Sequence, residues 1–183
     1  MKKVVIIAVL ALLFTSMAYG QDPAETQKPA TKLETFQART GIVVVRGFTT
    51  VGTIRGMGTV TVDARDFRDA SNPKTRLTGV SITVKESGRL ERENIAFIDS
   101  DEITSLLAGL DYVSKATQDV TPLTNFEVEY RTKGDFRITV FNDSRGELSA
   151  AVSAGRIGKT SAYIKLQQII ELRKLILDAK SKI

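Results

Sequence analysis

Short runs of alternating apolar and polar residues dominate the chain from residue 59 onward. In Thr59–Arg65, Val60, Val62 and Ala64 share one face, and Thr59, Thr61, Asp63 and Arg65 the other. Val80, Ile82 and Val84 oppose Ser81, Thr83 and Lys85, and Phe126, Val128 and Tyr130 oppose Glu127, Glu129 and Arg131. Phe136, Ile138 and Val140 oppose Arg137, Thr139 and Phe141, and Leu148, Ala150 and Val152 oppose Ser149 and Ser153. Period two with one apolar face predicts antiparallel strands that are dry on one side and wet on the other. Gly134-Asp135 and Ser144-Arg145-Gly146 supply turn residues between the later strands. Ile42–Val45 is apolar at every position, which predicts a strand covered on both faces.

Two segments switch to helical spacing. Ile103, Leu106, Leu107, Leu110 and Val113 line one side of a helix near residues 101–116. Asp99, with Glu102 three residues on, has the form of a capping box for it. A second helix is expected over about 166–181, with Lys174, Lys180 and Lys182 toward its end, where cations suit the helix dipole. The fold class expected is therefore α+β, mainly antiparallel sheet with two helices. Strands followed by a helix occur twice, across a polar join at Gln118–Asn125 that holds Pro122. The halves 33–117 and 125–183 share local detail, with Val80-Ser-Ile-Thr-Val84 in the first and Phe136-Arg-Ile-Thr-Val140 in the second. Both a tandem β-β-β-β-α repeat and a single α+β domain of residues 33–183 fit this order.

Over Leu33–Ile183 the order of elements resembles the tandem strand-helix architecture of the Whirly and Pur-type single-stranded nucleic-acid binders. That resemblance implies a pair of four-stranded sheets and a sheet-borne nucleic-acid site. No signature motif of either family is matched, so no functional residue carries over. The stretches Val84-Lys-Glu-Ser-Gly-Arg-Leu90 and Phe97-Ile-Asp-Ser-Asp-Glu-Ile103 are similar to those of small exported bacterial proteins with no assigned function, and imply no activity.

The first twenty residues change the picture of where the protein works. Lys2 and Lys3 precede an apolar run, Val4–Phe14, and then Thr15, Ser16, Met17, Ala18, Tyr19 and Gly20. This is the three-part layout of a secretory signal peptide. Small residues at Ala18 and Gly20 favour cleavage before Gln21, and Ser16 and Ala18 offer a second frame before Tyr19. The apolar run is shorter than the roughly 20 residues a spanning helix needs. No other long apolar segment follows, so no membrane span is expected after signal removal. The expected location is the periplasm or the exterior of a bacterial cell. Gln21–Lys32 holds two prolines and little apolar material, and reads as a flexible tether.

Composition narrows the chemistry. The 183 residues contain no histidine, cysteine or tryptophan, and carry a formal net charge of +5. Loss of Lys2 and Lys3 with the leader lowers that charge to about +3, ordinary for a soluble domain. Without imidazole or thiol there is no disulfide, no Cys/His metal cage and no Ser-His-Asp triad. No cofactor is expected.

Carboxylates remain as the candidate chemistry. Glu127 and Glu129 lie about 7 Å apart on one strand face, a separation compatible with a glycosidase pair. With Arg131 and Arg137 they form the candidate polar sheet face. Glu91 and Glu93, beside Arg89 and Arg92, form a similar but self-neutralised group. Asp63, Asp66 and Asp69 alternate with Arg65 and Arg68, which reads as internal ion pairing rather than the oxygen cage of calcium. Gly155-Arg-Ile-Gly-Lys-Thr160 lacks the first glycine of a phosphate loop, since Ser153 stands there. A strand is expected after it in place of a helix. The wet faces carry Arg65, Lys85, Arg131 and Arg137, but Phe97, Phe126, Tyr130 and Phe136 fall in the core phase and only Phe141 opposes them. Base-stacking platforms are thus not expected, nor is nucleic acid as a partner.

These observations favour an exported, non-catalytic binding or structural module with an unspecified partner. The alternatives are a carboxylate-dependent hydrolase and a single-strand binder. The last helix adds one further expectation. At about 100° per residue, Leu166, Ile169, Ile170, Leu172, Leu175, Ile176 and Leu177 span an arc of roughly 220°. Either the helix is wedged between two sheets, or it pairs with a second copy through Leu172 and Leu175.

Overall fold

The computed structural model describes residues 31–183 apart from 89, 90 and 144. The expected signal peptide and nearly all of the tether lie outside these residues. Eight strands form two antiparallel four-stranded sheets, each in simple sequential order. The first contains β1 (Val44–Gly56), β2 (Gly58–Asp69), β3 (Asn72–Lys85) and β4 (Glu93–Asp99). The second contains β5 (Glu127–Arg131), β6 (Arg137–Asn142), β7 (Leu148–Ala154) and β8 (Thr160–Ile164). Helix α1 (Lys32–Gln37) precedes the first sheet, α2 (Ile103–Ser114) follows it, and α3 (Gln168–Lys180) follows the second. The α+β class and the antiparallel pairing agree with the alternation in the sequence. The two sheets share element order but not dimensions, since β1, β2 and β3 have 13, 12 and 14 residues and no strand of the second sheet exceeds 7.

The alternating apolar residues meet in one core. Val60, Val62, Val80, Ile82, Ala96 and Ile98 from the first sheet join Ile138, Val140, Ala150, Val152 and Ala162 from the second. Helix α2 contributes Ile103, Leu106 and Leu110, and α3 contributes Ile169, Leu172 and Ile176. Each long helix braces the sheet it did not come from. Helix α2 packs on β5 and β6, α3 packs on β1, β2 and β3, and the two helices pack on each other. The two long helices therefore tie both sheets into one core.

A second, smaller cluster lies on the outer face of the first sheet. Leu33 and Phe36 of α1 cover Phe67, with Val44, Leu77 and Phe97 packed around them. Helix α1 was not expected, and its start overlaps the end of the expected tether. Its capping box is formed by Thr31 and Glu34, whose side chains each accept the other's backbone N–H. Asp99, expected to cap α2, instead serves α1: its carboxylate accepts the Lys32 and Leu33 N–H groups at 2.7 and 3.0 Å. Glu102 occupies the N-cap position of α2 without a side-chain cap bond. Its carboxylate accepts the Lys133 N–H at 2.8 Å, tying the β5–β6 turn to the helix start. At Gly79 the sheet must admit α1 closely, for a Cβ there would lie 2.6 Å from the Leu33 side chain.

Two further expectations need correction. The segment around Ile42–Val45 is not covered on both faces, since it opens β1, the edge of its sheet, and Val43 and Val45 are exposed. Helix α3 is not buried around its apolar arc. Leu172 is wholly buried in the chain's own core and so has no surface to offer a second copy, and Leu175 is half-buried against Gly52. Ile170 and Leu177 are the residues of that arc left in solvent. Among the described residues, no helix is long and apolar enough to cross a membrane.

Candidate binding groove

The outer face of the second sheet is built by strand register. Glu127, Glu129 and Arg131 alternate along β5 and stand opposite Phe141, Thr139 and Arg137 of β6. Ser149, Ala151 and Ser153 of β7 continue those three rows, and Tyr163 and Ser161 of β8 lie opposite Ala151 and Ser153. The four candidate polar residues thus occupy one face, as their alternation requires, but they are not equivalent. Arg131 and Arg137 both bond the Asp135 carboxylate, which Arg156 reaches as well at 3.0 Å. Asp135 is buried, and burial alone would raise its pKa. The Arg131 and Arg137 guanidinium groups outweigh that and hold it below the usual carboxylate value. Arg156 also pairs with Glu34 at 2.8 Å, so this network ties α1 to the second sheet.

Glu127 and Glu129 remain exposed. Glu129 accepts a hydrogen bond from Thr139 at 3.3 Å. This pair does not form two acids opposed across a cleft, as a glycosidase-type hydrolase needs: the two sit side by side on one open strand. Asp63 and Asp66 pair with Arg65 and with Arg68 and Arg76, as their spacing suggested. The Arg68 hydrogen bond leads the causes that lower the Asp66 pKa to about 2. Among the described residues no cluster of acids could hold a metal ion. The Gly155–Lys159 segment is a loop between β7 and β8, and it runs into a strand.

Beside the polar rows lies an open groove of about 800 Å³. The β1–β2 hairpin forms one wall, and its tip crosses from the first sheet to the second. The Met57 N–H donates to the Tyr163 carbonyl at 2.9 Å, and the Tyr163 N–H donates back at 3.0 Å. The Gly56 Cα lies so close to the Tyr163 carbonyl that no side chain fits there. Gln168, at the start of α3, fixes the floor, donating to the Arg55 carbonyl at 3.0 Å and accepting the Lys165 N–H at 2.9 Å. Phe141 and Tyr163 meet edge to face, with ring centres 6.5 Å apart. Met57 is 72% exposed and Tyr163 48%. These are large apolar surfaces for solvent to hold.

Arg55 and Lys165 stand at the rim, and neither has an ion-pair partner among the described residues. No carboxylate is among the described lining residues, and Ser149 supplies the lining's one aliphatic hydroxyl. The groove therefore offers apolar contact, two aromatic rings and positive charge. Its described lining holds a phenol, Tyr163, and an amine, Lys165, but no carboxylate.

The polar rows were legible from alternation, but the groove was not. Its members come from β1, the hairpin tip, β6, β7, β8 and α3, and the Met57–Tyr163 bridge and the Gln168–Arg55 hydrogen bond bring the two sheets' contributions together. One local signal existed: Gly56-Met57-Gly58 places a large apolar residue at a glycine-flanked turn, where solvent exposure is expected. The aromatic reading also changes. Phe97 faces α1 and not the main core, and Tyr163 joins Phe141 on the open face. The chain matches no protein-family model and has no significant match among curated proteins.

Proposed function

We propose that the protein is an exported, non-catalytic binding module, and that its ligand is an apolar molecule bearing an anionic group. The carrying observation is the groove itself: exposed Met57 and Tyr163, the Phe141–Tyr163 pair, and the cations Arg55 and Lys165, without ion-pair partners among the described residues, around one volume. Its size falls within the few hundred to about 1,000 Å³ usual for small-molecule sites. Burying the exposed apolar surface drives binding, and the cations select the charged end. Export rests on the Lys2-Lys3, apolar, small-residue layout of the leader. Intact mass of the native product should match residues 21–183, and a full-length cytoplasmic product would remove that part of the proposal. Dimerisation through Leu172 and Leu175 is not carried into it, because Leu172 is core.

Calorimetric titration with decanoate, decylamine and a short oligothymidylate tests the reading. Saturable binding of decanoate, weakened by Arg55→Glu and by Lys165→Glu, is the expected result. Equal binding of decylamine would deny the role of the cations. Preferred binding of the oligonucleotide would turn the Phe141–Tyr163 pair into a base-stacking platform and replace the proposed ligand.

A further inference from the structure

We propose that the free edge of β1 is a strand-addition site for an extended, acidic peptide segment of a partner protein. This surface is separate from the groove and does not depend on it. Strand β1 is the outermost strand of its sheet. The Val43 carbonyl accepts the Ala70 N–H at 2.9 Å, and Val44 stands opposite Asp69. In an antiparallel ladder this phase directs the bonding groups of Val43 and Val45 toward β2. It turns the N–H and C=O groups of Val44, Arg46, Phe48 and Thr50 to the open edge. No strand of the described residues pairs with them.

Proteins blunt such edges with lysine, proline or a bulge, because unpaired backbone groups recruit other strands. Val44–Thr50 has neither lysine nor proline, and the bulge of β1 falls only between Thr50 and Gly52. Every residue from Val45 to Thr50 is exposed. Phe48, 65% exposed, stacks its ring 5.0 Å from the Arg65 guanidinium on one face, and Val45 presents an apolar side chain on the other. An incoming strand would thus gain backbone bonds along the edge and apolar cover on both faces.

Charge decides the partner. The open stretch Val44–Thr50 includes Arg46 and no acid, and Arg46 has no ion-pair partner among the described residues. A second copy would bring another acid-free, cationic strand alongside. An acidic strand places its carboxylates within cross-strand reach of Arg46, a favourable pairing where like charges would repel.

The test uses the purified protein and a blocked peptide alternating valine with glutamate, with the valine–lysine peptide as control. Binding is read by fluorescence anisotropy, and its place by amide hydrogen exchange. The glutamate peptide should bind and slow exchange at Val44, Arg46, Phe48 and Thr50. Arg46→Glu should weaken it about tenfold and improve the lysine peptide. Phe48→Pro should abolish binding with an unchanged melting curve, since the lost N–H serves no bond within the sheet. If that variant does not fold, Arg46→Glu alone decides. No binding, equal affinity for the lysine peptide, or binding without slowed exchange at those amides overturns the proposal. Slow exchange there before any peptide is added also overturns it, because a second copy or the chain's own N-terminal segment then holds the edge.

Discussion

The outer faces of the two sheets pose the same physical problem and meet different answers. Each carries aromatic residues on the face turned away from the main core: Phe67 and Phe97 on the first sheet, Phe141 and Tyr163 on the second. The chain covers the first pair itself, spending its first described segment on a short helix that buries Leu33 and Phe36 over Phe67. Nothing described in the chain covers the second pair. Apolar surface left open on one sheet, in a molecule that covers the like surface on the other, supports the proposed binding role. On the proposed reading, the covered face serves stability and the open face serves binding. Substitutions should separate the two.

The largest effect is expected at Phe36. Truncation to alanine removes a fully buried ring and should cost about 3 kcal/mol of unfolding free energy in urea, while leaving decanoate affinity unchanged. A similar cost is expected at the network that joins the two faces. Asp135→Asn leaves Arg131, Arg137 and Arg156 around an uncharged amide and should cost about 3 kcal/mol, as breaking a buried ion pair does. The pH dependence follows from the direction of its shift. Asp135 has a folded-state pKa below its unfolded value near 4. Its contribution is complete above that value and is lost as pH falls through the folded one. Asp66, held down to about 2, loses its contribution over the range from about 4 to 2. Acid unfolding followed by circular dichroism should show a shallower pH dependence for Asp135→Asn than for the parent.

Asp99→Ala removes the acceptor of two backbone N–H groups at the start of α1 and should cost about 1–2 kcal/mol. Amide exchange should quicken across 32–37 well before it does in β5–β8. Phe141→Ala should shift stability by less than about 1 kcal/mol, the ring being partly in solvent, yet weaken decanoate about tenfold, the value of one well-placed aromatic contact. The smallest effect is expected at Glu127→Gln and Glu129→Gln, each within about 0.5 kcal/mol on stability and without effect on binding. A loss of binding at either would move the site from the groove onto the polar rows.

How far such a molecule can be read from its sequence depends on the range of the interactions involved. The strands around Val60, Val80, Ile138 and Val152 were legible because alternation is a local pattern. The long helices were legible for the same reason. Helix α1 was not, because the polar, proline-bearing stretch before it masked the Thr31–Glu34 capping box. Asp99 was assigned to the wrong helix because its true partners, the Lys32 and Leu33 amides, lie far away in the chain. The apolar run at Ile42–Val45 suggested burial, yet apolar composition does not tell an edge strand from a central one. The outward phase of Phe141 was visible, but its neighbour Tyr163 and the Met57 tip were not, since they are brought together by pairing between sheets.

The central claim is that the open face binds and the covered face does not. Titration of the nitrogen-labelled protein with decanoate, followed amide by amide in heteronuclear correlation spectra, addresses it directly. Saturable shifts are predicted at Met57, Phe141, Ser149, Tyr163 and Gln168, with none at Leu33, Phe36, Phe67 or Phe97. Shifts concentrated at the α1 cluster, or no saturable shift at the groove, would contradict it.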